Sequence, residues 1–235
     1  MTAAVLAFIF IADVDPNALL ERVAARYAAL KNFSLELRQN EQRATYRGSG
    51  ISGTVTIRLD AGAGNRYYLR EFRDDVEGIR SLPPVTIVND GENVWRVDGR
   101  FPGPLLEEPG FYSDRNAQER IHILHGRFAM LDGPAMLARY VKTEKIRGRV
   151  CAVIEIESRL PEAPAMWKEK LWIDLETAAI HRSHFARSSN IDKRQEVFHR
   201  DYFVPPGQRP PDESLFVRPP AGSLSHAKPV LRRQR

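Results

Sequence analysis

Strict alternation of apolar and polar residues is the feature that most limits what this 235-residue chain can fold into. Phe33, Leu35 and Leu37 are each followed by a polar residue, and the same period of two recurs over residues 51–60. Successive side chains of a β-strand point to opposite faces, so these stretches predict strands with one dry face and one solvated face. Such strands are typical of an antiparallel sheet that packs its core on one side only.

Further stretches of β-type sequence fall into two groups of about five strands each. The predicted strands cover residues 33–38, 51–60, 65–72, 85–89, 93–98, 142–147, 149–157, 166–174, 179–187 and 196–204. Asp90-Gly91 predicts a tight hairpin turn between the fourth and fifth of them. The strands do not alternate with helices, which disfavours a parallel doubly wound sheet.

Helices are predicted before and between the two groups of strands. Asp15 indicates an N-cap with Pro16 in the first turn, and apolar residues at three- and four-residue spacing then predict an amphipathic helix over residues 16–31. The segment between the groups is predicted as a loop over residues 101–110, a helix over residues 115–130 and a short helix over residues 133–140.

The predicted fold is mainly β, a single α+β domain over residues 15–222. It consists of one long, strongly curved antiparallel sheet of about ten strands with helices packed on its concave side. Sheets with that many strands tend to curl, which favours a barrel or near-barrel. Residues 223–235 are expected to form a basic disordered tail.

The charge pattern argues against nucleic-acid binding. The formal net charge is +5, but basic and acidic residues alternate along the chain, whereas a DNA-binding surface needs a coherent positive patch. The one cluster of a single sign lies in the predicted tail and comprises Lys228, Arg232, Arg233 and Arg235. With Cys151 as its single cysteine, the chain has no internal disulfide and no Cys-rich zinc module.

An apolar run over residues 3–12 resembles the central region of a secretory signal. It is shorter than the roughly 18–20 residues that a membrane-spanning helix requires. No Lys or Arg precedes it, and a buried first strand or helix is the alternative interpretation. We expect an exported, periplasmic protein in which residues 1–12 are a remnant of the signal peptide.

Motifs of common enzyme, metal or cofactor sites are absent from the sequence, so we expect no enzyme and no cofactor. Glu119 and His122 match one half of a di-iron element, with His125 next to them, but the chain has too little predicted helix for the other half. His181 and His184 are three residues apart on a predicted strand, so they point to opposite faces and do not chelate one ion together.

Four stretches of the chain carry a family resemblance when they are taken in order. They are the first helix with Asn32-Phe33-Ser34-Leu35-Glu36-Leu37, the Asp-Gly hairpin ending in Val94-Trp95, Leu171-Trp172-Ile173-Asp174 with Thr177, and Leu215-Phe216-Val217-Arg218-Pro219-Pro220-Ala221-Gly222. Together they resemble the outer-membrane lipoprotein carrier family, the LolA-like periplasmic proteins, and the chain looks like a divergent member. The resemblance implies an unclosed antiparallel β-barrel with helices as a lid over an apolar cavity. It also implies a carrier that shields acyl chains in the aqueous periplasm.

The same resemblance implies which residues contact an acyl chain. On the sheet they are Leu35, Leu37, Val55, Ile57, Ile87, Trp95, Ile154, Ile156, Leu171, Ile173, Phe185 and Phe198; on the lid they are Leu19, Val23, Tyr27, Ile121 and Leu124. The alternative interpretation is that each of them is an ordinary core residue. The same alternation predicts both roles, because a sequence does not distinguish a filled barrel from a hollow one. We expect a monomer that binds the acyl chains of a lipid or lipoprotein, with membrane-bound donor and acceptor proteins as partners.

The lid of that family is latched in part by the arginine of a basic-Pro pair after the second strand. Here the corresponding region has Arg58 and no proline, so the resemblance leaves the latch unassigned between Arg58 and Arg66. Two other functions stay open. An envelope sensor or regulatory module of the same fold would bind a protein partner, and a hydrolase-like enzyme would need an acid, a base and a nucleophile that converge in the cavity.

Overall fold

The structure is a computed structural model that describes residues 14–44, 50–64, 66–74, 81–92, 94–98, 106–107, 126–131, 136–158, 165–189 and 195–217. The signal-like run, the basic tail, Glu119, His122 and His125 lie outside these residues. In the part of the chain that the structure describes, no helix is long and apolar enough to span a membrane.

One antiparallel sheet dominates the molecule. Its strands are β1 (Phe33–Ala44), β2 (Gly50–Ala61), β3 (Tyr67–Asp74), β4 (Ser81–Asn89), β5 (Val94–Asp98), β6 (Leu106–Glu107), β7 (Met136–Ile146), β8 (Arg149–Ser158), β9 (Ala165–Asp174), β10 (Ile180–Ser189) and β11 (Gln195–Val204). Their spatial order is β6-β5-β4-β3-β2-β1-β11-β10-β9-β8-β7. The pairing of β1 with β11 joins the two sequence groups, and every other pair of neighbours is adjacent along the chain.

The sheet is strongly curved and unclosed, as predicted. Buried residues of β3 and β8 belong to one apolar cluster, although five strands separate β3 from β8 in the sheet. A flat sheet would hold these residues more than 20 Å apart, at roughly 4.8 Å per strand. The described strands end at β6 on one side and β7 on the other, and these two edges are not paired with each other.

Helix α1 (Pro16–Ala29) begins where the sequence predicts. The Asp15 side chain accepts hydrogen bonds from the backbone N–H groups of Asn17 (2.9 Å) and Ala18 (3.3 Å), which caps the first turn. The buried residues of α1 form one stripe along the helix: Leu19, Leu20, Val23, Ala24 and Tyr27. The stripe has the three- and four-residue spacing of an amphipathic helix, so α1 packs this side on the sheet.

The register of the strands defines the concave face, because residues paired across neighbouring strands point to the same side. Leu35 pairs with Leu59, and Leu59 pairs with Leu69, which places all three on this face. α1 covers the face together with a 3-10 helix over Gly126–Met130, whose Phe128 is fully buried.

The opposite, convex face is covered in part by residues 205–217, which we call the C-terminal strap. Ser34 N–H donates to the carbonyl of Arg209 (3.1 Å), and the N–H of Asp212 donates to Asp60 Oδ1 (3.2 Å). Phe216 is buried, and an added Cβ on Gly62 would lie only 2.7 Å from its ring. The strap therefore protects the convex surface of β1 and β2 from water.

The middle segment differs from its prediction. The short helix over residues 133–140 is wrong, because Met136–Ile146 is strand β7. Ala138 and Tyr140 pair with Ile156 and Ile154 of β8, and this packing overrides the helical propensity of the Ala- and Leu-containing sequence. Of the predicted helix over 115–130, only its end is described, and it is a 3-10 helix; the predicted loop over 101–110 contains the two-residue strand β6.

The concave face as a candidate ligand-binding site

Most residues predicted to contact a ligand lie together on the concave face. Those buried in one cluster are Leu35, Leu37, Val55, Ile57, Ile154, Ile156, Leu171 and Ile173 from the sheet, with Leu19, Val23 and Tyr27 from α1. Ile87 is half-buried and packs against this cluster. The cluster is a continuous apolar surface between the sheet and α1, and it is filled by the protein's own side chains.

The other predicted site residues have different positions. Phe185 and Phe198 pair with each other on the concave face, but farther along the strands than the apolar cluster. Trp95 pairs with Val88, and Val88 pairs with Tyr68, so the register places Trp95 on the convex face. Ile121 and Leu124 lie outside the described residues.

Tyr27 of α1 is the largest side chain that α1 contributes to the interior. Its ring meets Phe128 edge-on with centroids 5.2 Å apart, and Phe128 meets Tyr202 of β11 at 6.3 Å. The Tyr27 hydroxyl accepts a hydrogen bond from the N–H of Ile180 (3.2 Å), and burial raises the pKa of Tyr27. Through these contacts Tyr27 fills the space between α1 and the centre of the sheet.

Arginines of α1 itself, rather than Arg58 or Arg66, attach the helix to the rest of the fold. Arg22 Nη2 donates to the carbonyls of Leu175 and Glu176, both at 3.1 Å, and Arg26 Nη2 donates to the carbonyl of Pro206 at 3.1 Å. Each acceptor is a backbone oxygen in a segment that follows a strand. These bonds hold both the first half and the last turn of α1 against the sheet.

The two sequence candidates for the latch bind elsewhere. Arg58 Nε donates to Asp60 Oδ2 at 2.9 Å, next to the strap. Arg66 forms an ion pair with Glu213 at 2.9 Å, and its guanidinium lies over the ring of Phe216 at 5.3 Å. Both arginines therefore stabilise the strap on the convex side.

Beyond the apolar cluster, the concave face carries a group of buried polar residues that we call the polar belt. It consists of Gln39, Glu41, Glu71, Arg73, Glu169, Ser183 and Arg200. All of them except Arg73 are at most 8% exposed. Buried charged side chains are rare unless they are paired, so the belt is an unusual feature for the interior of a sheet.

Hydrogen bonds run along the belt from β11 to β3. Arg200 Nε donates to Gln39 Oε1 at 2.7 Å, and Gln39 Nε2 donates to Glu41 Oε2 at 3.3 Å. Glu41 Oε1 then accepts a hydrogen bond from Arg73 Nη1 at 2.9 Å. The network spans four adjacent strands and combines cationic donors with anionic acceptors.

Aromatic side chains border the polar belt. Phe198 lies beneath the guanidinium of Arg200 at 5.2 Å, and its ring centroid is 6.2 Å from that of Phe185. Trp167 stacks on the other side of Phe185 at 6.2 Å. These three side chains, which we call the aromatic ledge, extend across β11, β10 and β9.

The polar belt is not among the predictions made from the sequence, although the sequence of β1 contains a signal for it. Gln39 and Glu41 continue the two-residue phase that begins with Phe33, Leu35 and Leu37, so they belong to the concave side of β1. Polar residues in the apolar phase of a strand are expected to be buried, and that expectation could have marked them.

The histidines of the second strand group lie away from this site. His181 is buried, with Nε2 3.6 Å from Asp174 Oδ2, and His184 stacks on His199 with ring centroids 4.0 Å apart. Burial, followed by the neighbouring His199, lowers the pKa of His184. Within the described ranges, no group of three or more His, Cys, Asp or Glu side chains is arranged to hold a metal ion.

Comparison with protein-family models and with curated proteins gives no match. Among solved structures, LppX, a lipoprotein of Mycobacterium tuberculosis, aligns with 86% of this chain and 100% of its own at 13% identity and a TM-score of 0.48. A LolA superfamily protein of Nitrosomonas europaea aligns with 87% of this chain and 98% of its own at 11% identity and a TM-score of 0.34.

A third similar structure is the MucA/MucB complex of Pseudomonas aeruginosa, which aligns with 91% of this chain and 64% of its own at 13% identity and a TM-score of 0.40. These scores are too low to carry an argument about what the chain binds.

Proposed function

We propose that the protein is a carrier that binds and shields the acyl chains of a lipid or lipoprotein between α1 and the concave face. The observation that carries this proposal is the apolar cluster, which an unclosed sheet presents on one side and α1 covers, with Phe128, on the other. A helix that meets the sheet through one stripe of side chains and a few arginine bonds is able to move as a unit.

The energetics of a carrier require a lid that closes on the empty site. An acyl chain of sixteen carbons gains on the order of 12 kcal/mol from complete burial, at about 0.8 kcal/mol per methylene. Leu19, Leu20 and Val23 each gain about 1.5–3 kcal/mol when they are buried on the same surface. Closure of α1 therefore recovers about 5–9 kcal/mol, which offsets a large part of the free energy lost when the ligand leaves and makes transfer to a tighter-binding acceptor possible. The filled cluster corresponds to this closed, empty state.

The proposal includes export of the protein and transfer of its ligand between membranes. A carrier of acyl chains acts between membranes, so we place the protein in the periplasm as a monomer that receives its ligand from a membrane-bound donor and delivers it to an acceptor. The apolar run over residues 3–12 supports export. Fractionation of the native host should recover the protein in the periplasm, and recovery from the cytoplasm would contradict this part of the proposal.

Mass spectrometry of organic extracts tests ligand binding directly. Protein purified from its host envelope without detergent should yield bound acyl species, and titration with a fluorescent fatty acid should show saturable binding. Protein that is free of lipid and leaves the emission of the probe unchanged throughout the titration would refute the carrier proposal.

Two neighbouring strands offer a matched pair of variants. Leu35 of β1 is fully buried on the concave face, whereas Thr56 of β2 is exposed on the convex face. Leu35→Arg should abolish uptake of the probe because it places a charge in the apolar cluster, and Thr56→Arg should leave uptake unchanged. Circular dichroism establishes that both variants are folded. If Leu35→Arg does not fold, Leu35→Ala is used instead and should at least retain uptake, since it enlarges the apolar space.

A further inference from the structure

The polar belt adds hydrogen-bonding side chains to the concave face beside the apolar cluster. Next to α1 the face is apolar, and its residues belong to the filled cluster. Farther along β1 and β3, Gln39 follows Leu37 and Glu71 follows Leu69, whereas β2 and β8 keep the apolar Val55 and Ile156 at the level of the belt. A ligand that extended along the strands would meet an apolar surface with one part and a hydrogen-bonding surface with the other.

Ser183 lies at the boundary between the apolar cluster and the polar belt. It pairs with Leu171 of the apolar cluster on one side and with Arg200 of the belt on the other. Its side chain is completely buried, and its Oγ has no hydrogen-bond partner among the described residues. A buried hydroxyl without a partner carries a free-energy cost, so it marks a position where a ligand group would be stabilised.

The composition of the belt limits the chemistry of that group. A phosphate or carboxylate would be repelled by the carboxylates of Glu41, Glu71 and Glu169. A quaternary ammonium would be repelled by the guanidinium groups of Arg73 and Arg200, and it has no acceptor for their N–H donors.

Hydroxyl groups both donate and accept, so vicinal hydroxyls fit a surface that offers both N–H donors and carboxylate acceptors. The aromatic ledge adds an apolar surface beside the belt, formed by Trp167, Phe185 and Phe198. The C–H-rich face of a polyol or sugar ring packs against such a surface.

We propose that the polar belt binds an uncharged headgroup with vicinal hydroxyls, of the glycerol or sugar type, on the amphiphile whose acyl chain lies under α1. This inference rests on the proposed function, since the belt and the apolar cluster would hold the two ends of one molecule. Ser183 Oγ would hydrogen-bond the headgroup where it joins the chain.

Titration calorimetry with a series of ten-carbon amphiphiles, each below its micellar concentration, tests the headgroup. Decyl glucoside and monodecanoyl glycerol should bind at least about tenfold more tightly than methyl decanoate, because each forms several hydrogen bonds with the belt. Decyl phosphate and decyltrimethylammonium should bind less tightly than either hydroxylated probe. The ranking of decyl glucoside against monodecanoyl glycerol distinguishes a sugar from a glycerol headgroup.

Ser183→Ala tests whether the preference for hydroxylated headgroups arises from the polar belt. It should weaken binding of the hydroxylated probes about two- to tenfold and leave methyl decanoate unaffected. Ser52→Ala, an exposed serine of β2, is the matched control and should change neither. Thermal unfolding of both variants verifies their folding.

The possible failures are distinguishable. If no ten-carbon probe binds, the carrier proposal itself fails and the headgroup proposal fails with it. If methyl decanoate binds as tightly as the hydroxylated probes, or if a charged probe binds most tightly, the carrier proposal stands and the headgroup proposal is overturned. An equal effect of Ser183→Ala on all probes also overturns it, because that result indicates a role in packing alone.

Discussion

At the scale of single residues, the turn that follows β9 depends on the charge state of two buried groups. Asp174 Oδ1 accepts hydrogen bonds from the N–H groups of Glu176 (2.8 Å) and Thr177 (3.1 Å). Burial opposes ionisation of Asp174, but these N–H donors lower its pKa overall. For His181 burial is the largest influence, and it lowers the pKa of the imidazole despite the nearby Asp174 carboxylate. The folded state therefore favours a charged Asp174 and a neutral His181.

Acid should destabilise the protein through His181. The ordinary histidine pKa is 6.5, and the value in the folded state is lower, so the unfolded chain binds more protons as the pH falls through this range. The contribution of His181 to the free energy of unfolding should be complete above pH 6.5 and should decrease as the pH falls below that value. Urea unfolding at a series of pH values measures the slope. His181→Gln should make the curve shallower, and an unchanged slope would assign the effect to other groups, such as His184.

A comparison of two glycines with positive φ distinguishes the energetic cost of backbone strain from that of steric contact. Gly207 has φ of 80°, and an added Cβ would lie 2.7 Å from Leu30 Cδ2 and 3.1 Å from Arg26 Nη2. Gly64 has φ of 69° with open space around it. Gly64→Ala should cost about 1–2 kcal/mol for the left-handed backbone alone. Gly207→Ala should cost more in urea unfolding, because α1 or the strap must also shift; equal costs would show that the contact relaxes freely.

At the scale of elements, α1 combines a strong apolar attachment with a small number of polar bonds. Its buried stripe includes Val23 and Tyr27, whose exposures are 0% and 1%. Its polar attachments are arginine side chains that donate to backbone carbonyls, and such bonds reform whenever the geometry returns. An element of this kind suits a lid that opens and closes over a preformed sheet.

Weakening the bond between Arg26 and Pro206 should favour the open state of that lid. Arg26→Gln should remove about 1 kcal/mol from the closed, empty state, so it should lower the melting temperature and raise the affinity for a fluorescent fatty acid up to about fivefold. Arg38→Gln is the control, since Arg38 is exposed on the convex face. A lower melting temperature with unchanged affinity would indicate that α1 does not move when the ligand enters.

At the scale of the whole molecule, the sheet is protected differently on its two faces. α1 and Phe128 cover the apolar half of the concave face, and the C-terminal strap covers β1 and β2 on the convex face. Asp60 is fully buried under the strap and pairs with Arg58 at 2.9 Å. Phe216, near the end of the strap, packs on Gly62 and Arg66 on the convex side, so its contribution to stability can be changed separately from the contacts that Pro206 and Gly207 make with α1.

Phe216 of the strap should contribute to stability but not to binding. It is 4% exposed and packs on Gly62 and Arg66, so Phe216→Ala should lower the free energy of unfolding by about 2–4 kcal/mol. The adjacent Val217 is 59% exposed, and Val217→Ala should stay within about 0.5 kcal/mol of the wild type. Fatty-acid affinity should be unchanged in both variants, and a loss of affinity in Phe216→Ala would show that the two faces are coupled.

Much of the candidate site could be predicted because it follows from strand periodicity. Leu35, Leu37, Val55 and Ile57 are buried on the face that their alternation indicates. Periodicity defines two faces for each strand, but it does not say how the faces of different strands match. Trp95 was assigned to the concave face, whereas its register places it on the convex face.

By itself the sequence determined the elements whose signals are local: the capped helix α1, the Asp-Gly hairpin and the dry side of most strands. Local signals suffice there because a cap, a tight turn and a pleat each depend on neighbouring residues only. Only the tertiary structure decided that β1 pairs with β11, which brings Gln39 and Arg200 into a hydrogen bond across 161 positions of the chain. Such pairings depend on the curvature of the entire sheet, and no local pattern encodes that curvature.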